Sequence, residues 1–272
     1  MRRPARRGGA RVRAALDAAA IPTWNGPRPV ADRADAIRWI RAPGVLPRGR
    51  RVYAIGDVHG CRDRLVALHA AIAEDFVKRP PGSAVLVHLG DYINQGPDSA
   101  GVVGLLAAGP PVAGMAVVNL MGDHERMLVD ALNGDRAAAT DWLWAGGREA
   151  LASWGLAGDL PREEWERALP AGHVAFLRGL TMTHREGDYF FVHAGIRPGV
   201  PLGRQTIDDL TTMRQPFLFT EDDLGVIVVH GHSTSPAPVT GKNQIGLDTG
   251  AGMGGKLTCA VLEDDVVGYI GV

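Results

Sequence analysis

Runs of apolar residues that end in an acidic or imidazole side chain recur through most of the chain. Three of them stop at an aspartate: RVYAIGD at Asp57, SAVLVHLGD at Asp91 and VVNLMGD at Asp123. Two more, DYFFVHAG and GVIVVHGH, reach His193 and His230. Short continuous apolar runs of this kind are typical of strands that are buried on both faces. The pattern therefore predicts five buried strands, each ending in a residue type that can bind a metal.

Helix-compatible stretches follow the first three runs, at residues 62–78, 97–108 and 124–132. Strands that alternate with helices indicate βαβ units, and ligands of such sheets lie at the carboxyl ends of the strands. The five terminal side chains are thus expected at one edge. Residues 135–180 are predicted to be helical, with Trp142, Trp144, Trp154 and Trp165 as packing aromatics. The segments QIGLDTG, KLTCAVLED and VVGYIGV are predicted to close a second, more antiparallel sheet.

Composition supports a large α/β domain. The chain has 272 residues, 36 of them glycine and 18 proline, which indicates many turns. Two cysteines are too few for a disulfide framework, and no secretory signal is recognisable, so a reducing, cytoplasmic location is expected. The uncharged window 99–122 is long enough for a membrane span. Because Gly109-Pro110-Pro111 interrupts it, we interpret it as a helix, a turn and a strand.

Charge separates the first 50 residues from the rest. They hold 12 arginines, no lysine and three aspartates, whereas the whole chain has a net charge of -1. We interpret residues 1–50 as a basic arm, partly disordered, with a short docking helix at 30–42, and residues 51–272 as the main domain. A solvated tail is the favoured role of the arm, and contact with nucleic acid is the alternative.

The acidic and imidazole side chains that end the five apolar runs form, together with His59, a candidate ligand set for metal. Asp57 and His59 make a D-x-H pair at a strand end, and Asp91 and Asp123 add carboxylates. With His193 and His230 there are six oxygen and nitrogen ligands and no thiolate, a set suited to manganese, iron or zinc. Six ligands exceed the four of a structural zinc site, so two ions that share one carboxylate fit better, with Asp91 as the bridge. Such metal pairs serve phosphoryl transfer.

These motifs resemble those of the calcineurin-like metallophosphoesterases, and of bacterial serine/threonine phosphatases of the phosphoprotein phosphatase family in particular. The resemblance covers residues 51–272 and rests on Gly56-Asp57-Val58-His59-Gly60, Gly90-Asp91, Gly122-Asp123-His124-Glu125, His193-Ala194-Gly195 and His230-Gly231-His232.

The resemblance implies a four-layer α/β/β/α sandwich with a mixed two-sheet core and a dinuclear site, with manganese first and iron, zinc or nickel as alternatives. It assigns one ion to Asp57, His59 and Asp91. The other ion receives Asp91, Asp123, His193 and His230. His124 would protonate the leaving oxygen.

Four positions depart from the usual family pattern, one of them Thr211-Thr212, where bacterial relatives usually carry an apolar residue and tryptophan before the arginine. Asn94 stands where a carboxylate normally orients the acid histidine, and Gln95 stands where an arginine grips phosphate, so acid catalysis and phosphate attraction should both be weaker. Asp123 replaces an asparagine and adds a negative charge. Arg214 is the best remaining phosphate ligand, and Arg197 is a second candidate.

The leading function is hydrolysis of phosphomonoesters, in particular of phosphoserine or phosphothreonine in proteins, by a hydrolase attenuated at Asn94, Gln95 and Asp123. A symmetrical dinucleoside polyphosphate hydrolase is the first alternative, because such relatives can carry asparagine at the position of Asn94. A catalytically impaired metal-binding scaffold is the second. The expected partner is a phosphorylated protein or a small phosphoester, with no membrane span.

Overall fold

The computed structural model describes residues 37–272. Most of the predicted basic arm, and residues 30–36 of its docking helix, lie outside this range. Two sheets dominate the described part, and they account for the apolar runs of the sequence.

The first sheet has six strands in the order β1-β11-β10-β2-β3-β4. β2, β3 and β4 are parallel, and the other pairings are antiparallel. The strands are β1 (Trp39–Arg41), β2 (Arg50–Ile55), β3 (Ser83–His88), β4 (Ala116–Asn119), β10 (Thr258–Glu263) and β11 (Val266–Gly271).

The second sheet has five strands in the order β5-β6-β7-β9-β8, of which β6, β7 and β9 are parallel. The strands are β5 (Thr183–Glu186), β6 (Tyr189–Val192), β7 (Ile227–His230), β8 (Val239–Thr240) and β9 (Gln244–Gly246).

Eight α-helices connect these strands within residues 37–272. They are α1 (Arg62–Lys78), α2 (Ser99–Ala107), α3 (Asp123–Leu132), α4 (Arg136–Trp142), α5 (Arg148–Ser153), α6 (Arg162–Ala168), α7 (Ala171–Arg178) and α8 (Ile207–Thr212). A kinked turn at Leu143–Gly147, with non-helical backbone at Ala145 and Gly146, joins α4 to α5. The stretch 99–122 is helix α2, a turn and strand β4, as predicted, and no helix of the described chain is long and apolar enough to cross a membrane.

The two sheets pack face to face, with helices outside them. In β2, Val52 and Ala54 contact the second sheet, whereas Tyr53 and Ile55 pack against helices. Phe190 of β6 points away from the first sheet, into a third cluster with Leu210 of α8. Burial of both strand faces explains why these segments are apolar at every position. The predicted α/β fold class with a four-layer arrangement is confirmed.

Three local predictions differ from the structure. Residues 39–41 of the predicted docking helix form strand β1, because Trp39 pairs opposite Gly268 and is almost fully buried there. Strands β10 and β11, predicted for the second sheet, complete the first. Of the four tryptophans predicted to pack, Trp142 and Trp165 are fully buried and in ring contact, but Trp144 is 87% exposed.

Candidate metal centre

The candidate ligands all lie just beyond a strand, at one edge of the two sheets. Asp57 follows β2, Asp91 follows β3 and Asp123 follows β4. His193 and His232 follow β6 and β7 of the second sheet. The parallel direction of these strands brings their carboxyl ends together, which is why residues so distant in sequence meet.

The connecting turns are tight and strained. His59, Asp91 and His232 all have positive φ values, of 44°, 51° and 58°. Gly122 and Gly231 approach the carboxylates of Asp91 and Asp57 so closely that a Cβ atom would clash with them. Non-glycine residues in this conformation cluster at functional sites, where the surrounding structure holds them.

Glu125 anchors two of these turns. It is fully buried in α3 and accepts backbone N–H groups from Asp91 and Gly122 at 2.8 and 3.1 Å through one carboxylate oxygen. Its other oxygen accepts those of Tyr92 and Ile93 at 2.8 and 3.1 Å. Burial raises the pKa of Glu125, and these donors act against that rise. The side chain therefore fixes the backbone that carries the candidate bridging ligand.

One group of potential ligands combines Asp91, Asp123, His193 and His232, whose donor atoms lie within 4.8 Å of one another. The Asp123 Oδ1 atom is 3.1 Å from His193 Nε2 and 3.2 Å from His232 Nδ1. His193 Nε2 also lies 3.4 Å from Asp91 Oδ1. This is the set of two carboxylates and two imidazoles that a divalent transition metal prefers.

A second group shares Asp91 with the first. His59 Nε2 and His124 Nε2 lie 3.5 and 3.9 Å from Asp91 Oδ2. Asp57 lines the same cavity of about 170 Å³ and accepts the backbone N–H of His232 at 2.9 Å. The two groups meet at Asp91, the residue predicted as the bridge.

The hydrogen bonds of two imidazoles fit metal binding. His193 Nδ1 lies 2.9 Å from the carbonyl of Leu89, and His59 Nδ1 lies 3.0 Å from that of Ile93. A carbonyl at Nδ1 fixes a proton there, so Nε2 is the ring atom that faces the carboxylates and could bind a metal. This is the usual second contact of a metal-ligating histidine.

The electrostatics of the site also call for a cation. Burial raises the pKa of Asp57 well above its usual range, and Asp248 and Asp91 raise it further. Burial and the charge of Asp123 likewise raise the pKa of Asp91. Burial lowers the pKa of His193, but its hydrogen bond to Asp123 and the neighbouring carboxylates outweigh this and raise it to about 9. Buried carboxylates that lack a counter-charge favour a proton or a metal ion.

The geometry corrects one predicted ligand. His230 is the last residue of β7, pairs opposite Gly246 within the ladder and places Nε2 2.8 Å from Gln244 Oε1. Its ring stacks edge-on with Phe217, outside both ligand groups. His232, in the turn beyond the strand, occupies the place predicted for His230. The sequence does not separate the two histidines, because both follow the same apolar run, and the end of the ladder at His230 decides between them.

His124 and Asn94, predicted as the general acid and the residue that orients it, make no hydrogen bond to each other. His124 lies at the start of α3, where burial lowers its pKa to about 4, and its Nδ1 atom has no hydrogen-bond partner among the described residues. The Asn94 amide nitrogen donates to the Ala145 carbonyl at 2.9 Å, and its Oδ1 is also without a partner there. Asn94 therefore leaves His124 without the carboxylate that would stabilise its protonated form.

The predicted substrate residues separate into two groups. Arg214 and Gln95 line the cavity, and the Gln95 amide nitrogen lies 3.3 Å from His59 Nε2. Arg197 instead donates through Nε and Nη2 to Asp209, at 2.9 and 2.5 Å, and does not line the cavity. Its guanidinium holds the first turn of α8.

Besides His232, one further acidic residue of the cavity, Asp248, escaped the sequence analysis. Asp248 lies on the cavity wall, where it accepts the Thr234 hydroxyl at 2.5 Å and the Gly250 backbone N–H at 3.0 Å. Nothing in the local pattern QIGLDTG distinguishes this aspartate from one that only caps a turn.

Known proteins similar to this chain include two enzymes of different specificity. A symmetrical bis(5'-nucleosyl)-tetraphosphatase of Acidovorax sp. (strain JS42) is 32% identical over 148 residues, which are 54% of this chain and 44% of that protein. Serine/threonine-protein phosphatase 1 of Salmonella typhimurium (strain LT2) is 31% identical over 118 residues, 43% of each chain. The chain thus spans less than half the length of these curated relatives.

Among solved structures, one described as a putative diadenosine tetraphosphatase superposes with a TM-score of 0.57 at 26% identity, over 81% of this chain and 93% of that one. The calcineurin-like phosphoesterase family matches residues 50–268, which include both sheets' central strands and all the ligands named above. The match spans most of the chain and agrees with the motifs, the fold and the carboxylate–imidazole cluster, so this protein belongs to the calcineurin-like phosphoesterases.

Proposed function

We propose that this phosphoesterase hydrolyses the phosphoanhydride bond of a dinucleoside polyphosphate and releases nucleoside phosphates. The observation that carries the proposal is the unpartnered Nδ1 atom of His124, which makes no hydrogen bond to any described residue because Asn94 stands where relatives have an orienting carboxylate. General acid catalysis matters most when the leaving oxygen is a poor anion. The leaving group therefore decides which substrate this site can use.

A nucleoside diphosphate is a good leaving group, because a terminal phosphate has a second pKa of only about 6. The serine alkoxide of a phosphoprotein is far more basic and must be protonated as the bond breaks. A site whose acid is weakened by Asn94 thus favours the anhydride. This reverses the order of preference reached from the sequence, where phosphoprotein hydrolysis came first.

Asp57, His59 and Asp91 would hold one metal ion, and Asp91, Asp123, His193 and His232 the other. Such a pair supplies activation of water and polarisation of a phosphoryl oxygen. Arg214, next to the His232 carbonyl at 3.3 Å, would bind a second phosphoryl oxygen. Gln95 would donate a neutral hydrogen bond in place of the arginine found in relatives.

A phosphoprotein remains the second candidate, supported by the similarity to the Salmonella phosphatase over 118 residues. The two candidates separate in one experiment on the protein loaded with Mn²⁺. ADP release from diadenosine tetraphosphate is compared with phosphate release from a phosphoserine peptide, for the unaltered protein and for Asn94→Asp.

We expect the unaltered protein to prefer the dinucleotide by at least about 100-fold in kcat/KM. Restoring the carboxylate should raise peptide hydrolysis by roughly 10²-fold or more, the usual contribution of a general acid, and dinucleotide hydrolysis by less than about tenfold. Asn133→Asp, an exposed change of the same charge, is the matched control. A preference for the peptide would overturn the proposal. Bound metal without turnover of either substrate would support the scaffold alternative instead.

A further inference from the structure

Trp144 differs from the other tryptophans of residues 37–272. Its side chain is 87% exposed, whereas Trp39, Trp142 and Trp165 are at most 3% exposed and Trp154 is partly buried. An exposed indole forgoes the stabilisation that burial of a large apolar side chain provides. Isolated exposed apolar residues need no explanation, but an exposed indole beside a catalytic cavity is a candidate binding surface.

The segment that carries Trp144 is tied to the metal-site loop. Trp144 lies in the kinked turn Leu143–Gly147 between α4 and α5, where the backbone of Ala145 and Gly146 departs from helical geometry. The Ala145 carbonyl accepts the Asn94 side-chain amide at 2.9 Å, and Gly146, with a φ of 98°, lies against Gln95. The turn is therefore held at a fixed position beside the cavity.

A groove of about 630 Å³ runs along this turn, and Gln95, Trp144 and Arg148 are among its lining residues. Gln95 also lines the metal cavity, so the groove begins where that cavity ends. The volume falls within the range of about 300–1,000 Å³ typical of small-molecule sites. A substrate whose phosphates occupy the cavity can thus place its next chemical group in the groove.

We propose that Trp144 is the stacking platform for one nucleobase of the substrate, with the groove as the nucleoside subsite. The proposal rests on the proposed function, since it assigns the base of a dinucleoside polyphosphate. The indole offers a planar face, to which any base can stack. Arg148, whose guanidinium donates to the Gly158 carbonyl at 2.9 Å, adds a positive charge to the groove, and Glu149 adds a carboxylate. The subsite would explain how the enzyme retains a nucleotide although Gln95 replaces a phosphate-binding arginine.

The test compares Trp144→Ala and Trp144→Phe on two anhydrides. Diadenosine tetraphosphate carries bases, and inorganic tripolyphosphate presents the same kind of bond without one. Stacking on an aromatic side chain contributes about 1–3 kcal/mol per base, so Trp144→Ala should raise KM for the dinucleotide by about 5- to 150-fold. It should leave kcat/KM for tripolyphosphate within about twofold, and Trp144→Phe should fall between.

If Trp144→Ala changed the kinetics of both substrates equally, Trp144 would only position the loop. If it changed neither, Trp144 would play no part in substrate binding. Each result overturns the proposal. A binding measurement separates failure of the subsite from failure of the proposed function. Titration of ADP should quench tryptophan fluorescence of the unaltered protein and not of Trp144→Phe, even if diadenosine tetraphosphate is not turned over. Equal quenching in both proteins, or none, overturns the subsite.

Discussion

Glu125 makes a strong and specific prediction about stability. Its buried carboxylate accepts four backbone N–H groups, two at each oxygen, from the turns that carry Asp91 and Gly122. Glu125→Gln keeps the shape of the side chain but turns one oxygen into an amide nitrogen that can only donate. Whichever way the amide is oriented, two backbone donors then face another donor.

The magnitude follows from these contacts. Each buried donor left without an acceptor costs about 1–3 kcal/mol, so two of them cost about 2–6 kcal/mol. The two remaining hydrogen bonds lose the strengthening that an ionised acceptor gives. We therefore expect Glu125→Gln to lower the free energy of unfolding by roughly 3–6 kcal/mol, a large part of the 5–15 kcal/mol of an ordinary domain.

Urea unfolding of the metal-free protein, followed by tryptophan fluorescence, measures this loss as a lower midpoint with an unchanged slope. Glu74→Gln is the matched control, because Glu74 is exposed and its one ion pair among residues 37–272 is with Lys78 in α1. That control should change stability by no more than about 0.5 kcal/mol. A loss below about 1 kcal/mol for Glu125→Gln would refute the view that an ionised carboxylate holds these turns.

Three further predictions concern acid stability, metal binding and substrate binding. Burial lowers the pKa of His69 to about 4 and that of His88 to about 3. Both histidines take up a proton below about pH 6.5 in the unfolded chain, but they stay neutral in the folded protein. Lowering the pH from 7 to 5 should therefore reduce the free energy of unfolding by about 2 kcal/mol per histidine. In His69→Gln, unfolding curves at pH 7 and pH 5 should show half of this reduction in stability. The same reduction as in the unaltered protein would contradict a lowered pKa of His69. Asp91→Asn should lower metal affinity more than about 100-fold, since it removes the ligand that both metal ions would share. Metal analysis after dialysis measures this loss, and full metal retention would show that Asp91 is not the bridging ligand. Arg214→Ala should raise KM about 10- to 100-fold while Arg197→Ala changes it less than about threefold, and steady-state kinetics that reversed this order would place the phosphate elsewhere.

Local patterns predicted the parts of the fold that local chemistry determines. Helix α1 begins and ends where expected, and the strands before Asp57, Asp91 and Asp123 stop within a few residues of those aspartates. Continuous apolar runs are a strong signal because these strands are buried on both faces. The pattern therefore located one edge of the sheet and most of its ligands.

What the sequence could not predict depends on distant partners. Strand β1 is three residues long, and only its pairing with Gly268 shows that Trp39 belongs to a sheet. His230 and His232 are alike in type and spacing, and the ladder alone decides which of them faces the cavity. Trp144 was expected to pack like Trp142, but it lies in the kinked turn between α4 and α5 and is exposed to solvent.

The antiparallel pairing of β10 with β2 bears on how the protein is made. Ile55 pairs with Cys259, about 200 residues later, so β2 is synthesised long before its second neighbour exists. Every candidate ligand from Asp57 to His232 leaves the ribosome while that edge of the first sheet is still unpaired. An open edge invites pairing with other chains. Nascent chains of this protein thus pass through a stage in which the metal ligands are complete and the sheet that supports them is not.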